Sequence, residues 1–270
     1  MPATILGVHR LNGSGPLPHV QSLPDDVLDG RPSVLRQTED LLLIHTDSSS
    51  LEAAEEQEVF VAAWGHARSC LTDLPAGLRA DDPRALIHLY REHGEGFGRF
   101  VNGHFAIIVH DRPRERLLLI QDCFAGITTA YWLERGGLVY FSDRIEPLMR
   151  LFPDERRRIN HKALRQFLTD TYISAPETIY SAVCHLPGGE LLRVEGNETQ
   201  RRVYDRWHRP AEKATASARE LLADYRGLLE GALGDCLARD PDCGFLLSGG
   251  LDSGVNVALA SGMTDRPLPT

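Results

Sequence analysis

No run in this sequence approaches the roughly eighteen consecutive apolar residues of a membrane-spanning helix, and the N-terminus lacks the basic-then-apolar pattern of a secretory signal. A cytoplasmic protein is therefore expected. Cysteine is scarce and scattered. Cys70, Cys123, Cys184, Cys236 and Cys243 are odd in number and show no C-x-x-C spacing, which argues against a disulfide framework or a zinc finger and for reduced thiols. His104 and His110 are not at metal-motif spacing with acidic partners and read as ordinary strand or surface histidines. Positive charge is in deficit. The net charge of −9 argues against a general nucleic-acid or membrane binder, which needs a basic surface. The run Arg156–Arg157–Arg158 is short, follows Asp154–Glu155, and reads as a solvated loop, with a phosphate patch as the alternative. No internal repeat or low-complexity tract is present.

What is present is an ordinary globular composition. Apolar residues make up 42% and charged residues 25% of 270 positions, enough for one large or two medium domains. Strands are expected over Ala3–Leu11, Leu41–His45, Val59–Trp64, Phe105–His110, Arg116–Gln121, Leu138–Ser142 and Glu190–Glu195. The turn-rich Asn12–Gly13–Ser14–Gly15–Pro16 closes the first. Residues 16–33 read as loop, and Ser48–Glu58 as a polar, acidic connection. Asp82 before Pro83 starts a helix with Leu86, Leu89 and Tyr90 on its apolar face, and Gly94 ends it. Asn160 caps a second helix with Ala163, Leu164, Phe167 and Leu168 inward. Residues 204–216 are polar and aperiodic and read as a linker. Ser217 and Glu220 form a capping box that launches a long helix, with apolar residues from Leu221 to Leu237 near a 3.6-residue period. Pro241 stops it.

The most informative stretch is Gly244–Gly254, GFLLSGGLDSG. Phe245–Leu247 reads as a short buried strand, Ser248–Gly249–Gly250 as a turn, and Leu251 onward as a helix. Such a turn aims backbone N–H groups and a helix dipole at one anion. It lacks the lysine of G-x-x-x-x-G-K-[ST]. It resembles instead the SGG-x-DS pyrophosphate loop of ATP pyrophosphatases. A plain strand–turn–helix corner is the bland alternative.

Other stretches join it in order. Val101–Ala106 with Asp111–Arg112, Gln121–Gly126, Phe141–Asp143, Tyr172–Tyr180 and Leu186–Gly189 resemble successive segments of asparagine synthetases. By these motifs the chain resembles the asparagine synthetase superfamily, which includes enzymes that make β-lactams or cyclise lasso peptides. The resemblance implies an α+β architecture. A class II, N-terminal-nucleophile amidotransferase domain of αββα type would occupy residues 1–203. The start of a Rossmann-like ATP pyrophosphatase domain, truncated at Thr270, would occupy 217–270.

The resemblance also implies roles. Leu247, Ser248, Gly249, Gly250, Asp252 and Ser253 would bind ATP and its pyrophosphate, and Asp252 would help place Mg2+. Helix capping is the bland reading of Asp252 and Ser253, and both roles can coexist. Gly254 replaces a second serine common in the family. In the other half the family nucleophile is an N-terminal cysteine, but here Ile5–Leu6–Gly7–Val8 fixes the register and puts Ala3 at that position, after Pro2. Trp64–Gly65–His66 stands where the family has the NGE segment that holds glutamine. Asp82 aligns with an aspartate that binds the glutamine amine, yet a helix N-cap explains it as well and is the reading favoured here.

Glutamine hydrolysis is therefore not expected. The implied activity is adenylation of a small-molecule or peptide carboxylate with ATP, followed by attack of ammonia or an internal amine. A homodimer is compatible with this reading, and neither nucleic acid nor membrane is an expected partner. The alternative is a non-catalytic, degenerate amidotransferase scaffold that binds a partner.

Overall fold

The computed structural model describes residues 4–11, 15–24, 26–30, 32–46, 51–71, 73–206 and 216–270. The chain divides into two compact units, Met1–His208 and Arg209–Thr270.

The first unit is built from alternation. Strand β1 (Ile5–Arg10) pairs with β3 (Leu41–His45) and β9 (Leu138–Ser142), all antiparallel. With β2 (Ser33–Gln37), β8 (Tyr131–Arg135) and the two-residue β10 (Cys184–His185) they form one sheet, in the order β10-β8-β9-β1-β3-β2. The second sheet has the order β12-β11-β7-β6-β5-β4. Its members are β4 (Leu51–Glu56), β5 (Val59–Ser69), β6 (Val101–Asp111), β7 (Arg116–Gln121), β11 (Glu190–Glu195) and β12 (Glu198–Val203).

Successive residues of a strand face opposite sides. Ile5, Leu41, Leu43, Ala106, Ile108, Leu117, Leu119 and Phe141 therefore fill the layer between the sheets. Phe105, Ile107, Val109, Leu118 and Ile120 turn outward instead and pack under α1 (Pro83–His93). Leu6, Val8, Leu42 and Ile44 pack against Leu148 and Met149 of α2 (Ile145–Leu151). Two sheets face to face with helices on both outer faces give the expected αββα, α+β layering. Gly7 is obligatory in the inner layer, because a Cβ there would lie 2.0 Å from the Phe141 ring.

The strands at Leu41–His45, Arg116–Gln121, Leu138–Ser142 and Glu190–Glu195 run as expected. Besides the short β10, four strands were not anticipated. Each is joined by a tight turn or is polar on one face. β4 lies in the stretch read as an acidic connection and pairs with β5 across Gln57 and Glu58, both at positive φ (48° and 63°). Glutamates at three of its six positions hid it, since an edge strand is only partly buried on either face. β8 returns into β9 through Gly136–Gly137, and β12 follows β11 through Gly196–Asn197. β2 begins at Ser33, the last residue of the expected loop, and its other residues carry no expectation.

The edges of the two sheets are joined side by side. Arg36 of β2 makes a forked ion pair with Glu55 of β4 and lies over the Phe60 ring, 4.6 Å from its centroid.

Two expectations about packing are corrected. Helix α3 (His161–Asp170) is capped by Asn160, whose side chain accepts from the amides of Lys162 and Ala163. Of its expected inward face, however, only Ala163 is buried, and Phe167 and Leu168 are exposed. The helix is held at its first turn and by Gln166, which exchanges hydrogen bonds with Ser174. Tyr204, read as the first linker residue, is buried: its hydroxyl donates to the Gln121 carbonyl at 2.7 Å and its amide to Gly189. The turn at Asn12–Ser14 and residues 207–215 of the expected linker lie outside the described residues.

In the second unit, α4 (Ala218–Arg239) begins at the expected capping box, formed in both directions between Ser217 and Glu220. Helix α5 (Leu251–Ser261) follows the glycine turn. The expected strand at Phe245–Leu247 does not form. A strand is stable only when a neighbour takes its N–H and C=O groups. Among the described residues Phe245 donates only to the Pro269 carbonyl, and Leu246 is 94% exposed.

Candidate functional site

The glycine turn in front of α5 is organised by two hydroxyls. Ser248 Oγ and Ser253 Oγ are 3.0 Å apart. The Ser248 amide donates to Ser253 Oγ at 3.3 Å, and the Gly250 amide to Ser248 Oγ at 3.3 Å. Ser253 Oγ also reaches the Gly250 carbonyl at 3.1 Å. Gly249 takes φ 79°, where a side chain is strained, and a Cβ there would meet nothing within 4 Å. The turn is thus tight yet open on its outer side.

The N-cap of α5 is Gly250, which offers no side-chain cap. That corrects the capping reading of Asp252 and Ser253: they are the second and third residues of the helix. The first amides of a helix have no partner within it, so this N-terminus keeps donors and a positive dipole end for an anion. Asp252 and Leu247 are exposed beside it. Glycines for close approach, two hydroxyls and unclaimed helix amides are a donor set that fits a pyrophosphate group. One exposed carboxylate fits a Mg2+ ion held mainly by phosphate oxygens and water.

The amidotransferase half presents no such constellation. Ala3, the position of the family cysteine, lies outside the described residues. Asp82 is the N-cap of α1: it accepts from the Arg84 amide at 2.9 Å and is forked by the Arg84 guanidinium, with Nη2 at 2.5 Å from Oδ2. The Arg84 hydrogen bond outweighs partial burial and holds the Asp82 carboxyl below the usual range.

Trp64, Gly65 and His66 continue β5 without interruption. Trp64 is buried and donates to the Thr129 carbonyl at 3.2 Å. The His66 and His104 rings meet edge to face with centroids 4.8 Å apart. Burial raises the thiols of Cys70, Cys123, Cys184 and Cys243. Cys123 is pushed up to about 11, by burial first and then by Asp205, to which it donates at 3.4 Å. A thiol that stays protonated is a poor nucleophile.

Several acids and histidines stand out only in three dimensions. Asp122 accepts from the amides of Phe105, Phe124 and Ala125 and from Gln121 Nε2, locking the turn after β7. Asp143 accepts from the Ile5 amide, and its carboxyl is pushed up to about 6, chiefly by burial. His9, Asp40 and His110 meet between the sheets. Strand alternation was the signal available for the last group. His9 falls on the face of Ile5, and His110 on the face of Ile108, so both point inward.

Among known families, the match is to the glutamine amidotransferase domain. The family model of that description matches residues 64–205, more than half of the chain, and the chain belongs to that family. A second family model, asparagine synthase, matches residues 224–270. With relatives of the same kind, this places the chain in the asparagine synthetase superfamily. It is 26% identical over 186 residues to asparagine synthetase (glutamine-hydrolysing) 2 of Bacillus subtilis, covering 64% of this chain and 24% of that protein. It is 28% identical over 190 residues to asparagine synthetase 3 of the same organism, covering 70% of this chain and 30% of that protein. The chain thus spans about a quarter to a third of the length of these curated relatives. Among solved structures, glutamine phosphoribosylpyrophosphate amidotransferase of B. subtilis is loosely similar, at 11% identity and a TM-score of 0.39 over 98% of this chain and 58% of that one. Among the described residues, no helix is long and apolar enough to cross a membrane.

Proposed function

We propose that the protein carrying this chain is an ATP-dependent amide synthetase that does not hydrolyse glutamine. A carboxylate oxygen of the substrate attacks the α-phosphorus of ATP, giving an acyl adenylate and pyrophosphate. An amine then attacks the acyl carbon, loses a proton, and displaces AMP. The amine is ammonia or a group of the substrate itself, as in the relatives that make β-lactams or cyclise peptides. Ser248, Gly249, Gly250 and Ser253 hold the departing pyrophosphate through hydroxyl and amide donors, the kind of preorganised stabilisation that acts most strongly where charge develops. Leu247 borders the nucleotide. Asp252 helps to hold Mg2+, which when bound neutralises phosphate charge.

The observation that carries this reading is the Ser248–Ser253 hydroxyl pair set over the uncapped N-terminus of α5. The loss of glutaminase rests on Ala3, which has no thiol to attack an amide, and on Asp82, whose carboxylate is engaged by Arg84. The test is carboxylate-dependent ATP–pyrophosphate exchange. Exchange with suitable carboxylates, and no glutamate released from glutamine, are expected. No exchange across small-molecule and peptide carboxylates would leave the non-catalytic scaffold as the better reading, and glutamate release would overturn the second half of the proposal.

A further inference from the structure

His9 of β1 and His110 of β6 belong to opposite sheets, yet both point into the layer between them. His9 is 4% exposed and His110 is fully buried. Their rings meet edge to face with centroids 5.9 Å apart. Asp40, just before β3, completes the group. His110 Nε2 lies 2.9 Å from Asp40 Oδ2, and His9 Nε2 lies 3.9 Å from the same oxygen. One donor atom from each of the three residues lies within 4.8 Å of the others. The second oxygen of Asp40 accepts from Thr38 Oγ1 at 2.6 Å, which fixes the orientation of the carboxylate.

This arrangement is expensive for a protein interior as it stands. Among the described residues, neither nitrogen of His9 has a hydrogen-bond partner, nor does Nδ1 of His110. A neutral imidazole carries one N–H donor and one lone pair, so His9, 4% exposed, leaves both without a partner among the described residues. Each unsatisfied buried polar group costs about 1–3 kcal/mol. A cation at the meeting point would take up lone pairs from both rings and the charge of Asp40 at once.

We propose that His9, Asp40 and His110 bind one zinc-class divalent cation, which ties the two sheets of the amidotransferase domain together. Two imidazoles and a carboxylate are the ligand types for zinc and its borderline neighbours, and unlike a calcium or magnesium site the set is not all oxygen. Tetrahedral zinc with bonds of about 2.0–2.1 Å needs its ligand atoms roughly 3.3 Å apart. The observed separations straddle that value, so small side-chain rotations close the site. Asp40 is 28% exposed at its side chain, which leaves a route for a water molecule in the fourth position. Thr38 acts behind the ligand as the group that orients it.

Cobalt and zinc ions alone are the probes. The purified protein, stripped with chelator, is titrated with Co2+ and followed by visible absorption, then challenged with Zn2+. The expected result is one equivalent bound, with the intense d–d bands of a tetrahedral nitrogen-and-oxygen site, no thiolate charge-transfer band, and displacement by Zn2+. His9→Gln and Asp40→Asn should each weaken binding by about 100-fold or more, and Thr38→Ala by about 10–100-fold. Zn2+ should also raise the melting temperature of the parent protein and leave that of His9→Gln unchanged. The parent titration needs no variant to fold. Absence of the tetrahedral bands, a thiolate band in their place, or equal binding by folded His9→Gln and Asp40→Asn would each overturn the proposal.

Discussion

The Ile5 amide donates to Asp143 Oδ1 at 2.8 Å, so a side chain after β9 takes up a backbone donor at the start of β1. Ser142 and Thr129 close the same corner: the Ser142 hydroxyl donates to the Ile5 carbonyl, and the Thr129 hydroxyl to the Asp143 carbonyl at 2.7 Å. Burial dominates at this corner, and the hydrogen bonds only partly offset it. The folded Asp143 carboxyl therefore titrates at about 6, above its ordinary value of 3.8.

A raised acid of this kind binds more protons folded than unfolded between those values. Its contribution to stability is complete below about pH 4 and is lost as pH rises through about 6. The shift of roughly two units corresponds to about 3 kcal/mol. Asp143→Asn, which keeps the acceptor for Ile5 without a charge, should be more stable than the parent at pH 7 and should flatten the decline between pH 4 and 7. Urea denaturation at several pH values reads this directly. An Asn variant weaker than the parent at pH 7 would mean that the carboxylate stabilises the corner.

Asp82 is a helix cap in this structure, and capping has its own signature. Asp82→Ala should cost about 1 kcal/mol and Asp82→Asn much less, because asparagine caps as well as aspartate. Thermal denaturation of the two variants decides it. If Asp82 instead held glutamine, the parent would bind glutamine measurably by calorimetry and both variants would lose it.

Tyr204 fastens the end of β12 to the domain. A Cβ at Gly98 would lie 2.6 Å from its ring, and its hydroxyl meets the Gln121 carbonyl. Tyr204→Phe should cost about 1 kcal/mol for the hydrogen bond, and Tyr204→Ala about 3–5 kcal/mol for the lost packing. Gly98→Ala should destabilise as well, by forcing the ring aside. A Tyr204→Ala variant as stable as the parent would return this residue to the linker.

For the glycine turn, Ser253→Ala removes a hydroxyl that contacts both Ser248 and Gly250. The expected result is a fall of about tenfold or more in the rate of ATP–pyrophosphate exchange, with circular dichroism unchanged. Gly249→Val should do at least as much, because φ 79° is closed to a β-branched residue. Full exchange in both variants would remove this turn from the reaction.

The sequence displayed those elements whose signals are local. Asp82–Pro83, Asn160 and Ser217 with Glu220 each marked a helix start, and continuous apolar runs such as Leu117–Ile120 marked central strands. Elements that depend on a distant partner were hidden. β4 and β12 are rich in charge and exist because β5 and β11 offer a ladder. The converse holds at Phe245–Leu247, where an apolar run read as a strand has no ladder among the described residues. At the candidate site the Ser-Gly-Gly turn was legible as a motif, while the contact between its two hydroxyls was not. Alternation turns His9 and His110 inward, but their meeting with Asp40 was not legible, since the three are 31 to 101 positions apart and meet only when the two sheets stack.

The Arg36–Glu55 pair has a consequence for how the protein behaves in a crowded solution. It spans the rim where the last strand of each sheet would otherwise present bare backbone to a passing chain. Arg36 lies over Phe60 and is forked onto Glu55, so a charged pair ties the rim strands β2 and β4 of the two stacked sheets. Charge placed at a sheet rim is one of the general devices that disfavour edge-to-edge pairing.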